Sequence, residues 1–325
     1  MDTLANFVTT IPVIDLGSAW INGEESKRDV ANKISEACCE IGFFYLINHG
    51  VGEELTNQIF RQTRALFDLP ESKKKKLDIQ KSPYMRGYFS FGGDKSDGIH
   101  DDIKEGFDLA LDLPPDDPLV LAKLPFYGPN TWPPLPDFQA IVNAYYDAMM
   151  DVGIKLLRLF GLGLDVDEEF FPNKFKKPIA QLRLLKYPPP DNSTSIRIGA
   201  GEHTDFGWIT MILQDEIGGL EVLDRGGTWT GVPYLPGSFV VNVGDLMQRW
   251  TNDKYVATMH RVMNRTTHPR YSAAFFMDPD YHVEVNCLPT CTHDGNPSKY
   301  TPIIVGDYMN QRFLDTTTFR DSLQT

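Results

Sequence analysis

Basic residues are scarce in this chain. Its 325 residues hold 31 Lys and Arg against 44 Asp and Glu, a formal net charge of −13. Such a surface repels phosphate backbones and anionic lipid, so neither nucleic acid nor membrane is expected as a partner. Long apolar runs are missing as well. The longest, "IGFFYLI" from Ile41 and "SFVVNV" from Ser238, fall far short of the ~18–20 residues that cross a bilayer. Cysteine is sparse: Cys38, Cys39, Cys287 and Cys291. Adjacent cysteines are poor disulfide partners for each other, and "CLPTC" has no matching second half of a zinc site, so reduced thiols and a cytoplasmic location are expected. The first residues, "MDTLANFVTTIPVIDL", lack the basic start and apolar stretch of a secretory signal.

What is present reads as two textures. The first half carries helical periodicity. Ser26–Glu40 has apolar Val30, Ile34, Ala37 and Cys38 at helical spacing, Glu53–Leu66 repeats the pattern, and "DLPESKKKKLDI" opens a third helix. The Lys73–Lys76 run in it is expected to be a solvated face. Residues 82–134 are irregular, and the polar stretch Ser90–Asp102 suits a lid or substrate wall. A long amphipathic helix is expected from Leu135 to about Gly161. After Pro178, short strand-like runs alternate with turn signals such as "YPPPDN" and "LPGS". The expected fold is α+β: a double-stranded β-helix (jelly roll) core with a helix-rich N-terminal region packed on it. The expected division is 1–135 and 136–325, with the site within about 180–280.

The chemistry-bearing residues lie in the strand-rich half. In "GEHTDFG", His203 and Asp205 are two apart; on a strand they point to one face. Of the seven histidines, His260 in "ATMHRVMNR" is the other one placed among strands. Two histidines and one carboxylate leave three metal positions open, which suits non-haem Fe(II) binding a chelating co-substrate together with dioxygen; zinc fits less well. Ten residues on, Arg270 and Ser272 in "RYSAAFF" offer a planar fork and a hydroxyl on one face, a clamp for the distal carboxylate of a dicarboxylate.

Together these segments resemble the plant-type iron and 2-oxoglutarate-dependent oxygenases, the isopenicillin N synthase group among them. "IPVIDL", "IGFFYLINHG", "LRLLKYPPP", "GEHTDFGWITMILQD" and "RYSAAFFMDP" follow in that family's order across nearly the whole chain. The resemblance implies Fe(II) on His203, Asp205 and His260, and 2-oxoglutarate on Arg270, Ser272 and Tyr187. It places Asn242 near the iron or the co-substrate. The same resemblance implies O2 as the oxidant and ascorbate as a candidate stimulant of turnover. It also implies release of succinate and CO2, with hydroxylation, desaturation or ring closure of a small-molecule substrate. The stretch "KYPPPDNSTSIRIGAGEHTD" departs from typical plant members, which fits a microbial or fungal enzyme.

Substrate residues are expected at Arg183, which shares strand parity with Leu185 and Tyr187, and at Tyr88, Asp94, Phe206 and Phe276; Trp208 is a further aromatic candidate. Lys104 and Glu105 read as exposed. A monomer or weak homo-oligomer is expected. Two other functions fit the same residues: an iron oxidase of this fold that needs no 2-oxoglutarate, and an inactive small-molecule-binding module.

Overall fold

The computed structural model describes residues 11–92, 96, 102–190 and 197–316. The strands run β1 Val13–Asp15, β2 Phe43–Ile47, β3 Gly87–Phe89, β4 Glu105–Ala110, β5 Pro178–Tyr187, β6 Arg197–His203 and β7 Ile209–Gln214. They continue as β8 Leu220–Leu223, β9 Trp229–Val232, β10 Phe239–Val243, β11 His260–Asn264, β12 Arg270–Asp280, β13 Glu284–Val285 and β14 Ile303–Ile304. The helices are α1 Glu24–Glu40, α2 Glu53–Phe67, α3 Glu71–Lys74, α4 Pro118–Leu121, α5 Phe138–Gly163, α6 Asp245–Trp250 and α7 Val305–Thr316.

Eight strands form a major sheet in the order β1-β2-β10-β7-β12-β5-β4-β3, and four form a minor sheet, β6-β11-β8-β9. From β5 to β12, successive strands alternate between the two sheets except at the β8–β9 hairpin, which is the jelly roll anticipated above; β13 and β14 form a separate two-stranded pair. The N-terminal region does more than pack on this core. Its β1 and β2 extend the major sheet beyond β10, and its β3 and β4 extend it beyond β5.

Alternation along the strands separates two apolar clusters. Leu182 and Leu184 of β5, Met211 of β7 and Phe275 and Met277 of β12 face the helices, where they pack with Ile34, Ile59, Met149 and Leu156. Leu185, Tyr187 and Val240 face the minor sheet and meet Ala200, Leu220, Val222 and Val262. The first cluster glues helices to sheet; the second lines the space between sheets.

Helix α5 starts at Phe138 rather than Leu135, because Pro136 and the left-handed Asp137 (φ 58°) hold the chain non-helical before it. The third helix stops at Lys74 and gives way to tight 3-10 turns. The lysine run is not a uniformly solvated face either. Lys74 is buried and pairs with Glu105.

Candidate metal centre and cofactor cavity

His203 and His260 are direct partners across the β6–β11 pair, with ring centroids 4.3 Å apart. Asp205 reaches them by a different route from strand alternation. Strand β6 ends at His203, and Asp205 sits in the segment that crosses from the minor sheet to β7 of the major one. Its Oδ1 lies 3.8 Å from His203 Nε2 and 3.6 Å from His260 Nε2. All three ligand atoms fall within 4.8 Å of one another, a donor set that fits a divalent transition metal with positions left open.

Each ligand is oriented by a backbone or side-chain partner. The Nδ1–H groups of His203 and His260 donate to the carbonyls of Gly201 at 2.7 Å and Thr258 at 3.0 Å. That fixes the tautomer and leaves both Nε2 lone pairs for a metal. Asn242 Nδ2 donates to Asp205 Oδ2 at 2.7 Å, and the Thr210 hydroxyl donates to the same oxygen. Asn242 and Thr210 are cross-strand partners on β10 and β7, so the sheet itself aims Oδ1 at the histidines. Phe43 of β2 packs edge-on against His260 at 5.4 Å.

The electrostatics favour the metal-binding protonation states of His203 and Asp205, but not that of His260. Burial, helped by neighbouring His260, pushes His203 down to about 4. Burial would raise Asp205, but the two imidazoles and the Thr210 hydroxyl outweigh it and hold the carboxyl well below its usual range. Burial lowers His260, and the Asp205 charge more than offsets this, so its net shift is upward.

These side chains open onto a cavity of about 180 Å³. Its floor is the inner face of β12, β5 and β7. At its deep end Arg270 is 1% exposed. Its guanidinium donates to Gly218 O at 2.6 Å, Ser272 Oγ at 3.2 Å and Gln214 Oε1 at 3.4 Å, and lies over the Tyr187 ring at 4.8 Å. Those acceptors are neutral, and among the described residues no carboxylate pairs with it. A buried cation so placed fits an anionic ligand.

Arg183 does face the cavity with Leu185 and Tyr187, and it is also held by a bidentate ion pair to Asp108 of β4 (2.7 and 2.8 Å). Phe206 and Phe276 line the cavity. Tyr88 does not. It packs in the helix-side cluster and its hydroxyl donates to Glu105 at 2.8 Å, because β3 presents Phe89, one residue on, to the inner side. Trp208 is fully buried among Phe160, Phe171 and Phe175 on the helix side. Asp94 falls outside the described residues. Gly199 serves close packing beside the site: a Cβ there would meet the Tyr187 ring at 2.4 Å.

Several contributors went unseen in the sequence. Lys104 and Glu105 are buried, not exposed. Lys104 lines the cavity and pairs with Asp102 at 2.7 Å, while Asp102 accepts the Gly201 amide at 3.0 Å. Reading "KEGFDLALDLP" as alternating strand would have put Lys104 and Asp108 on one face. Met309 and Phe313 of α7 wall the mouth, with Phe126 against Phe313 at 6.1 Å. Their i,i+4 spacing is the one signal they leave. Arg312 stacks on Phe206 at 4.1 Å and pairs with Asp245 at 3.0 Å.

Comparison with known proteins agrees with this geometry. Residues 178–279 match the 2OG-Fe(II) oxygenase superfamily, and residues 11–135 match the family described as non-haem dioxygenase in morphine synthesis N-terminal. The chain is 34% identical over 307 residues to the 2-oxoglutarate-Fe(II) type oxidoreductase hxnY of Emericella nidulans, covering 92% of this chain and 88% of that one. It is 35% identical over 314 residues to a 2-oxoglutarate-Fe(II) type oxidoreductase of Aspergillus fumigatus, covering 94% and 93%. A full-length Neurospora crassa protein, crystallised in complex with alpha-KG, superposes with a TM-score of 0.82 at 29% identity, covering 93% of this chain and 95% of that one. The chain belongs to the 2OG-Fe(II) oxygenase superfamily and is an Fe(II)- and 2-oxoglutarate-dependent oxygenase.

Proposed function

We propose that His203, Asp205 and His260 hold the iron, that Arg270 and Ser272 clamp the distal carboxylate of 2-oxoglutarate beside Tyr187, and that the chain oxidises a small metabolite. The observation that carries this reading is Arg270. It is a buried cation with neutral partners, at the end of a cavity whose opposite wall presents three metal-binding atoms. Iron held there supplies dioxygen activation coupled to the oxidative decarboxylation of 2-oxoglutarate to succinate and CO2.

The residues of the chain do the rest. Asn242 and Thr210 keep one oxygen of Asp205 occupied so that the other faces the metal. The carbonyls of Gly201 and Thr258 select the neutral tautomer in which each Nε2 lone pair faces the metal position. Arg270 gives the co-substrate one orientation through a charge-assisted pair. Phe206, Phe276 and Phe313 dry the cavity around the reacting carbon. Arg183, charged and inward, is placed to hold a carbonyl or carboxylate of the substrate while Asp108 fixes its rotamer. The thymine complex of the Neurospora relative supports a substrate of that size here. Four free cysteines support a cytoplasmic setting, and a monomer or weak homo-oligomer suffices for a cavity built within one chain.

The test is anaerobic titration of the metal-free protein with Fe(II) and 2-oxoglutarate, followed by a metabolite screen for succinate release. We expect a visible charge-transfer band that requires both additions, and one succinate per O2 consumed in the presence of substrate. Turnover without succinate would point instead to a 2-oxoglutarate-independent oxidase.

A further inference from the structure

The segment that carries Asp205 is held from three sides. The Asp245 amide donates to Asp205 O at 2.8 Å, the Leu246 amide reaches the carbonyls of Phe206 and Gly207 at 3.1 Å, and the Gly244 amide reaches Trp208 O at 3.1 Å. The Trp208 indole anchors in the aromatic core. The third hold comes from Asp278 of β12. Its Oδ1 accepts the Trp208 amide at 2.6 Å, and its carboxyl fills the space beside Gly207. A Cβ on Gly207 would sit 2.1 Å from that oxygen. Asp278 is 2% exposed and lines the cavity on the same face of β12 as Arg270 and Ser272.

We propose that Asp278 is a positioning residue for the metal centre, tying the strand that clamps the co-substrate to the segment that presents Asp205. The role rests on the reading of His203, Asp205 and His260 as iron ligands. Its chemistry is that of an acceptor. One oxygen fixes a backbone N–H three residues after the carboxylate ligand, and the bulk of the group sets how close Gly207 approaches β12. Without it, the Trp208 amide is buried with no partner and the crossing segment loses its tie to β12. The carboxyl is also neutral through much of the acid range, since burial, with the Asp205 charge, pushes it up to about 7. The amide of Asn is therefore a near match in shape and in the bond it accepts.

The experiment measures Fe(II) affinity of the full-length, metal-free protein by anaerobic competition with a chromophoric chelator, a readout independent of turnover. Asp278→Ala is expected to weaken Fe(II) binding by about 10- to 100-fold, the range typical of residues that orient ligands. Asp278→Asn is expected to restore it to near wild type. Wild-type affinity in Asp278→Ala, or loss in Asp278→Asn equal to that in Asp278→Ala, overturns the proposal. If Asp278→Ala does not fold, Gly207→Ala probes the same contact from the other side. Undiminished Fe(II) affinity in folded Gly207→Ala then overturns it. Failure of the wild type itself to bind Fe(II) would instead remove the iron assignment.

Discussion

The deep end of the cavity and its mouth are built from different material. At the deep end Arg270, Tyr187, Ser272 and Gln214 sit on three adjacent strands in register, Arg270 opposite Tyr187 and Ser272 opposite Gln214. Sheet geometry sets their spacing, and Asn242 and Thr210 extend the same lattice to the proposed iron ligand Asp205. The mouth is assembled from Phe126, Phe206, Met309 and Phe313, which come from a loop, a crossing segment and the last described helix. Phe126 even holds a left-handed φ of 71°, with its carbonyl taken by the buried Arg86. Regular sheet thus fixes the chemistry common to the family, while irregular segments shape what enters. Changes at the two ends should therefore fail differently.

The largest effect is expected for His260→Ala, which removes one of the proposed iron ligands from a buried position. Succinate release should fall below detection and Fe(II) should no longer copurify or titrate, with the circular dichroism spectrum preserved. Retention of half the wild-type rate would break the comparison at its base. Next comes Arg270→Ala. Each hydrogen bond to a charged group is worth about 1.5–3 kcal/mol, so the 2-oxoglutarate KM should rise by roughly 10- to 100-fold, with Fe(II) affinity untouched. An unchanged KM would refute the clamp.

A third prediction concerns pH. The folded chain keeps Asp278 protonated up to about 7, while an unfolded carboxyl loses its proton near 3.8. The folded state therefore binds more protons between these values, so this contribution to stability is full below about 4 and is lost as pH rises through about 7. His203, held down near 4, contributes with the opposite sign up to about pH 6.5, so the Asp278 effect is read as a difference: between pH 5 and 8 the Tm of the metal-free wild type should fall by roughly a few degrees relative to that of Asp278→Asn. A wild-type profile unchanged by the substitution would contradict the assignment. The smallest effect belongs to the mouth. Arg312→Ala removes the stack on Phe206 and a half-exposed ion pair to Asp245, a contact of about 0–1 kcal/mol. We expect a few-fold rise in KM for substrate with the 2-oxoglutarate KM unchanged; a shift in the latter would show that the two ends are not separable.

Legibility in the sequence followed the same division. Residues whose roles come from strand alternation could be read directly: Arg183, Leu185 and Tyr187 share the inner face, as do Arg270 and Ser272. That His203, Asp205 and His260 come together was legible in the sequence, although Asp205 reaches the histidines from a crossing segment and not from strand parity. The resemblance placed Asn242 near the iron or the co-substrate, but its bond to Asp205 Oδ2 depends on the register of β10 against β7, which no local pattern encodes. Tyr88 was misplaced by one residue of parity, enough to turn a side chain to the other face. Lys74, Lys104 and Glu105 look solvated because charge in a sequence signals exposure. Lys74 and Glu105 are buried against each other across two segments, a pairing that leaves no trace in either segment alone, and Lys104 is buried against Asp102 two residues before it. Met309 and Phe313 carry no motif, since a mouth needs only bulk at the right place.

Strand β2 bears on how the chain is made. Phe43–Leu46 pairs with Phe239–Asn242, so at 5–20 residues per second roughly 10–40 s of translation separates an aromatic strand from its partner. During that interval "FFYLI" has only three-residue β1 beside it. A nascent chain or fragment that ends before β10 offers this strand to any other chain within reach. Yield in a heterologous host should accordingly depend on chaperone supply and on slow induction, more than on the stability of the finished enzyme.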